Sequence, residues 1–154
     1  MANNLEQPFI RPSPPMPTPL LCRHLPVSLH SQANAFYRQH GSAMKARPVH
    51  QVWVAGASNI SACLCIQPVA DHHGYWLTSL FVDPAARRRG LAQQLLREVR
   101  LAVTGPIWLF CRPELSSLYR RQGYLIAESL PISLGSKLAR YKREKQLIAL
   151  VHQG

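Results

Sequence analysis

Acidic side chains are scarce in this chain. Its 154 residues carry 7 Asp and Glu against 18 Lys and Arg, a formal net charge of +11. Such an excess suits an acidic partner, phosphates or a nucleic acid among them. Cysteine is sparse too. Cys22, Cys63, Cys65 and Cys111 do not compose a disulfide framework, and the two-residue spacing of Cys63 and Cys65 fits neither a zinc knuckle nor C-x-x-C. We expect buried free thiols and no metal. No apolar run approaches the ~20 residues of a membrane helix. The N-terminus, MANNLEQPFIRPSPPMPTP, lacks a basic-then-apolar leader layout. A cytoplasmic protein with no membrane partner is the expectation.

Apolar residues are plentiful. They make up 47% of the chain, which excludes wholesale disorder and suits one domain with a real core. Six of the thirteen prolines fall in residues 1–19, read as a flexible or polyproline-like arm. Residues 20–154 then form a single domain. Helical spacing marks Val27–His40 and Gln93–Val103. Strands are expected over 51–55 and 60–68, joined by a Gly56–Asn59 turn, and over 74–82, 107–111, 124–132 and 146–152. A helix is expected over 114–122. Residues 130–145, which hold the basic segment Lys137–Lys145, read as a solvated hairpin or loop. If that segment lines an acceptor site, it favours carboxylate or phosphate there and disfavours polyamines. The order gives an α/β fold.

The most informative stretch is LTSLFVDPAARRRGLA, Leu77 to Ala92. An apolar strand ending in Leu80, Phe81 and Val82 meets an Asp83-Pro84 turn, three arginines (Arg87, Arg88, Arg89), then Gly90, Leu91 and Ala92 at the start of a helix. A strand, a basic glycine-containing turn and a helix N-terminus together form a phosphate-holding device. Outward N–H groups and the helix dipole favour an anion there, and arginine adds charge and forked donors. Gly90 permits close backbone approach, and Ala92 keeps the next position small.

Arg87-x-x-Gly90-x-Ala92 resembles the acyl-CoA-binding motif of the GNAT N-acetyltransferases. A second segment, Leu118-Tyr119-Arg120-Arg121-Gln122-Gly123-Tyr124, resembles the family's Leu-Tyr-x-x-x-Gly-Phe. The resemblance covers Val52 to Tyr124. It implies a three-layer α/β/α fold whose mixed central sheet splays between 74–82 and 107–111. It implies acetyl-CoA as co-substrate, its pyrophosphate on the loop and its pantetheine along the open strand. It also implies direct transfer to a primary amine of a small molecule or peptide, with a backbone N–H of Leu80 or Phe81 as oxyanion donor and Tyr119 protonating the departing thiolate. Dimers are common in the family, which leaves a homodimer open.

The chain departs from the family pattern twice. Many members carry Glu on the strand before the loop, and none occurs here between Val52 and Val82. Asp71, His72 and His73 adjoin that strand, and His73 is the candidate base. Where the family often has Asn, seven residues before the tyrosine, this chain has Arg112, a candidate for phosphate or acceptor. Tyr37, Arg38 and His40 border the expected acceptor side. Cys111 falls near the expected thioester, but packing is the preferred reading. Glu114 is read as a helix N-terminal charge. Two other functions stay open: an enzyme acetylating aminoacyl-tRNA, and a non-catalytic acyl-CoA-binding module.

Overall fold

Seven strands form one mixed sheet in the computed structural model, which describes residues 22–154. The arm expected over residues 1–19 lies outside the described residues. In chain order the strands are β1 (Arg23–Leu25), β2 (Gln51–Ala55), β3 (Ala62–Pro68), β4 (Tyr75–Val82), β5 (Ile107–Cys111), β6 (Leu125–Ile126) and β7 (Ile148–His152). Across the sheet they run β1-β2-β3-β4-β5-β7-β6. Every neighbouring pair is antiparallel except β4 and β5.

Helices cover both faces. On one face lie α2 (Leu91–Ala102) and the short α3 (Ser116–Arg120). Leu91, Leu95, Leu96 and Val99 make the buried stripe of α2 at helical spacing. They pack with Leu64, Ile66, Leu77, Leu109 and Tyr119. On the other face, α1 (His30–Gln39) sets Ala33, Phe36 and Tyr37 against Val52, Val54, Cys63 and Cys65. The fourth helix, α4 (Ile132–Tyr141), packs Leu134 against Trp76, Trp108 and Val151 on that same face. Covered on both sides, Ala62 to Ile66 of β3 is buried without interruption rather than in alternation. The result is the expected three-layer α/β/α arrangement. Cys63 and Cys65 share a face, and all four cysteines are free. No helix among the described residues is long and apolar enough to cross a membrane.

Two features of β4 position the site. Its parallel pairing with β5 runs only through Tyr75–Ile107, Trp76–Trp108 and Leu77–Leu109. Gly74 allows this junction, because a Cβ there would meet the Pro106 carbonyl oxygen at 2.6 Å and the Trp108 ring at 2.7 Å. Beyond Leu77 the strands part. On its other edge β4 pairs with β3, but the register shifts between Cys63 and Cys65, so Ser79 and Leu80 together oppose Leu64 in a bulge.

Three elements differ from those expected of the sequence. Tyr124–Ile132 is not one long strand; only Leu125 and Ile126 pair, antiparallel to β7. Residues 132–141 are not a hairpin but helix α4. Its N-terminus is tied by Asp71, which accepts hydrogen bonds from the N–H of Ser133 at 3.0 Å and from the Ser133 hydroxyl. β1, unanticipated, pairs Arg23, His24 and Leu25 with the outer edge of β2.

Candidate active site

Between the unpaired end of β4 and the turn and helix that follow β5 lies a cleft of about 580 Å³. Leu80, Phe81 and Val82 form one wall, Arg87, Arg88, Gly90, Leu91 and Ala92 the mouth, and Leu115, Leu118 and Tyr119 the opposite wall. Nine of the residues singled out in the sequence therefore share one cavity.

The loop that forms the mouth is built locally. Asp83 accepts from the Ala85 N–H at 2.9 Å and opens a single 3₁₀ turn, Pro84–Ala86. Arg87 donates from Nε to the Val82 carbonyl at 3.1 Å and lays its guanidinium 5.6 Å from the Phe81 ring centroid. Arg88 and Gly90 both adopt left-handed backbone, at φ 67° and 77°. Gly90 is the N-cap of α2, no side chain caps that terminus, and nothing lies within 4 Å of where its Cβ would be. The first-turn N–H groups of α2 are thus left for an anion arriving from the cleft. Arg89 is exposed and outside the cleft lining, and so is Arg112, which precedes the turn leading into α3.

Tyr119 is buried in the wall opposite β4. Burial, and after it the neighbouring Cys111, push its hydroxyl above the ordinary tyrosine range. It is a neutral proton donor at any working pH. Cys111, at the end of β5, has its thiol pushed up to about 11 by burial and then by Glu114. That suits a packed thiol rather than a nucleophile.

The acetyltransferase (GNAT) domain family matches residues 48–125, just over half of the chain. The chain belongs to the GNAT acetyltransferase family. By that membership it is an acyl-transferring enzyme. Solved structures share the fold at low identity. An N-acetylglutamate synthase from Neisseria gonorrhoeae, complexed with coenzyme A and N-acetyl-glutamate, is similar at 14% identity and a TM-score of 0.62. The match covers 86% of this chain but 34% of that one, so this chain spans about a third of the synthase. A GNAT acetyltransferase from Staphylococcus aureus is similar at 14% identity and a TM-score of 0.59, over 86% of this chain and 97% of that one. A GNAT acetyltransferase from Elizabethkingia anophelis with acetyl-CoA bound is similar at 12% identity and a TM-score of 0.59, over 88% of this chain and 98% of that one. No curated protein matches by sequence.

The acetyltransferase's other candidates lie elsewhere. His73 precedes β4, is exposed, and rests its ring over Gly105. Strand geometry puts it roughly 20 Å from Leu80, at the opposite end of β4 from the cleft. His72 meets Trp108 edge to face, ring centroids 5.2 Å apart, and Asp71 is engaged with Ser133. The structure thus does not bring His73 to Tyr119. The histidine it sets beside the cleft-lining Phe81 is His40, at the end of α1. Its ring lies 5.5 Å from that of Phe81, and its Nε2 faces Asp83 Oδ2 at 3.7 Å. His40 and Asp83 line a second, polar hollow of about 650 Å³ between α1 and the β2–β3 turn, on the far side of Phe81. Only the fold could pair a residue of α1 with one 43 positions later. Among the described residues no cluster of three or more His, Cys, Asp or Glu could hold a metal.

Proposed function

We propose that this acetyltransferase moves the acetyl group of acetyl-CoA directly to a primary amine of a small molecule or peptide. One observation carries the reading: a single cleft unites an unpaired strand edge, an uncapped helix N-terminus flanked by arginines, and a buried neutral tyrosine. Acetyl-CoA has a chemical counterpart for each. Its pyrophosphate suits Arg87, Arg88 and the amides opening α2. Its pantetheine amides suit the backbone groups of β4 beyond Leu77. A backbone N–H at the β4 bulge would stabilise the developing oxyanion, and Tyr119 would protonate the thiolate as it departs.

The amine must lose a proton first, since a free alkylamine is charged at neutral pH. His40, steadied by Asp83 beside Phe81, is the base we assign, acting through water; His73 is too distant. The acceptor would come from the face of α1 and α4. Lys137 stands there with its ammonium 5.0 Å from the Trp76 ring centroid, which favours an acceptor carrying a carboxylate over a polyamine. The N-acetyl-glutamate in the Neisseria synthase is a product of that type.

Thermal unfolding with and without acetyl-CoA tests the co-substrate, because a ligand of the native state raises the midpoint by mass action. A rise is expected, followed by turnover in a screen of carboxylate-bearing amines. No shift at millimolar acetyl-CoA overturns the reading.

A further inference from the structure

Ser79 is a serine in a conformation that serine avoids. Its φ is 61°, in the left-handed region. It sits in the β4 bulge, adjoining Leu80, the first β4 residue of the cleft wall. Something outside the strand must hold it there, and the structure shows what does. The Tyr37 hydroxyl, on a side chain with no exposed surface, donates to the Ser79 carbonyl at 2.7 Å. With its one proton so used, the same oxygen accepts from the Cys65 thiol, whose sulfur lies 3.8 Å away. A chain of donors thus runs from β3 through α1 to the bulge. The Ser79 hydroxyl does not compete for the role, since its own contact is to the Thr78 hydroxyl at 3.4 Å.

The direction of this bond has a consequence across the peptide. The Ser79–Leu80 bond is trans, so its C=O and N–H point opposite ways in one rigid plane. Drawing the carbonyl toward α1 aims the Leu80 N–H toward the other face, where α2, α3 and the cleft lie. We propose that Tyr37 is a positioning residue: through the Ser79 carbonyl it fixes the Leu80 N–H as the donor to the thioester oxygen. This rests on the acetyltransferase reading and deepens it. It selects Leu80 over Phe81 and withdraws Tyr37 from contact with the acceptor. A buried tyrosine, its hydroxyl kept protonated by the same burial, suits a tether that holds at all working pH.

The test needs no acceptor. Isotope-edited infrared spectroscopy reads the carbonyl stretch of ¹³C-acetyl-CoA bound to the full-length wild type, Tyr37→Phe, and Tyr37→Phe combined with Ser79→Gly. The wild type should shift the stretch to lower frequency. Tyr37→Phe should lose much of that shift with acetyl-CoA affinity little changed. The added glycine should restore part of it, because glycine holds a positive φ without steric cost. A full shift in Tyr37→Phe overturns the inference and leaves the acetyltransferase reading standing. Acetyl-CoA bound to the wild type with no shift overturns both the oxyanion assignment and the inference. A second measurement does not depend on how well the variants fold. In the wild type, acetyl-CoA should move the ¹⁵N–¹H resonance of Leu80 more than that of Phe81; the reverse order overturns the assignment.

Discussion

Leu77 pairs with Leu109, and no pair beyond it joins β4 to β5. The cleft lies beyond the end of this ladder, with the unpaired end of β4 as one wall and the turn and helix after β5 as the other.

Gly90 offers the cleanest test of the loop. Alanine there keeps the charge and meets nothing, and its cost is the left-handed backbone, about 1 kcal/mol of stability. Glutamate adds an anion at the same strain. We expect Gly90→Ala to bind acetyl-CoA within a few-fold of wild type and Gly90→Glu to lose at least about tenfold. Equal affinities by calorimetry would remove the pyrophosphate from this loop.

Tyr119→Phe should leave acetyl-CoA affinity unchanged and lower kcat by about 10²-fold, in the range of a lost general acid. The wild-type rate should also show no decline near pH 10 from this residue. Burial raises its pKa, so the donor form persists past the point where a free tyrosine ionises. A falling limb near 10 that vanishes in Tyr119→Phe would contradict this.

His40→Gln should reduce kcat/KM by about tenfold or more, and His73→Gln should not. Asp83→Asn should follow His40 in direction, with some loss of stability from the weakened cap on Ala85. Equal activity in all three would leave the amine's proton to solvent alone.

Cys111 should resist alkylation. With its thiol near 11, the thiolate fraction at pH 8 is on the order of one in a thousand. Cys111→Ala should keep turnover, at the cost of a small cavity. Rapid labelling of Cys111 at pH 8 by mass spectrometry would show a different thiol environment.

Stability should fall on the acid side partly through His152. Its pKa is lowered in the fold, first by burial and then by Arg100. On acidification the unfolded chain takes up this proton at the ordinary histidine value, before the folded chain does. The contribution is present above about pH 6.5 and is lost as pH falls through the folded value. In His152→Gln the drop in midpoint between pH 7 and pH 5 should be smaller.

Much of this was legible from residue pattern. The run from Leu77 to Ala92 carries its own strand, turn and helix start, each formed by near neighbours; Leu80 to Val82, Arg87, Arg88 and Gly90 to Ala92 border one cleft, and Arg89 does not. The misread parts depend on distant partners. α4 contains Gly135 and begins after a proline with no polar cap of its own; its cap is Asp71, 62 residues earlier in the chain. β1 is three residues that pair only because the edge of β2 is there to receive them. His73 adjoins the strand in sequence alone, whereas His40 becomes relevant only when α1 is laid against Phe81. The bulge has no signature at Ser79, since its left-handed turn is held from outside by Tyr37.

Three rungs hold β4 to β5 at the centre of the sheet. Mechanically, the sheet is two plates joined by a short weld, with β1 to β4 in one and β5 to β7 in the other. A ligand hydrogen-bonded along the free margin of β4 and clasped by α3 from the far plate acts as a splint. Occupancy of the cleft should therefore stiffen residues far from it, slowing amide exchange in both plates together rather than at the contact points alone.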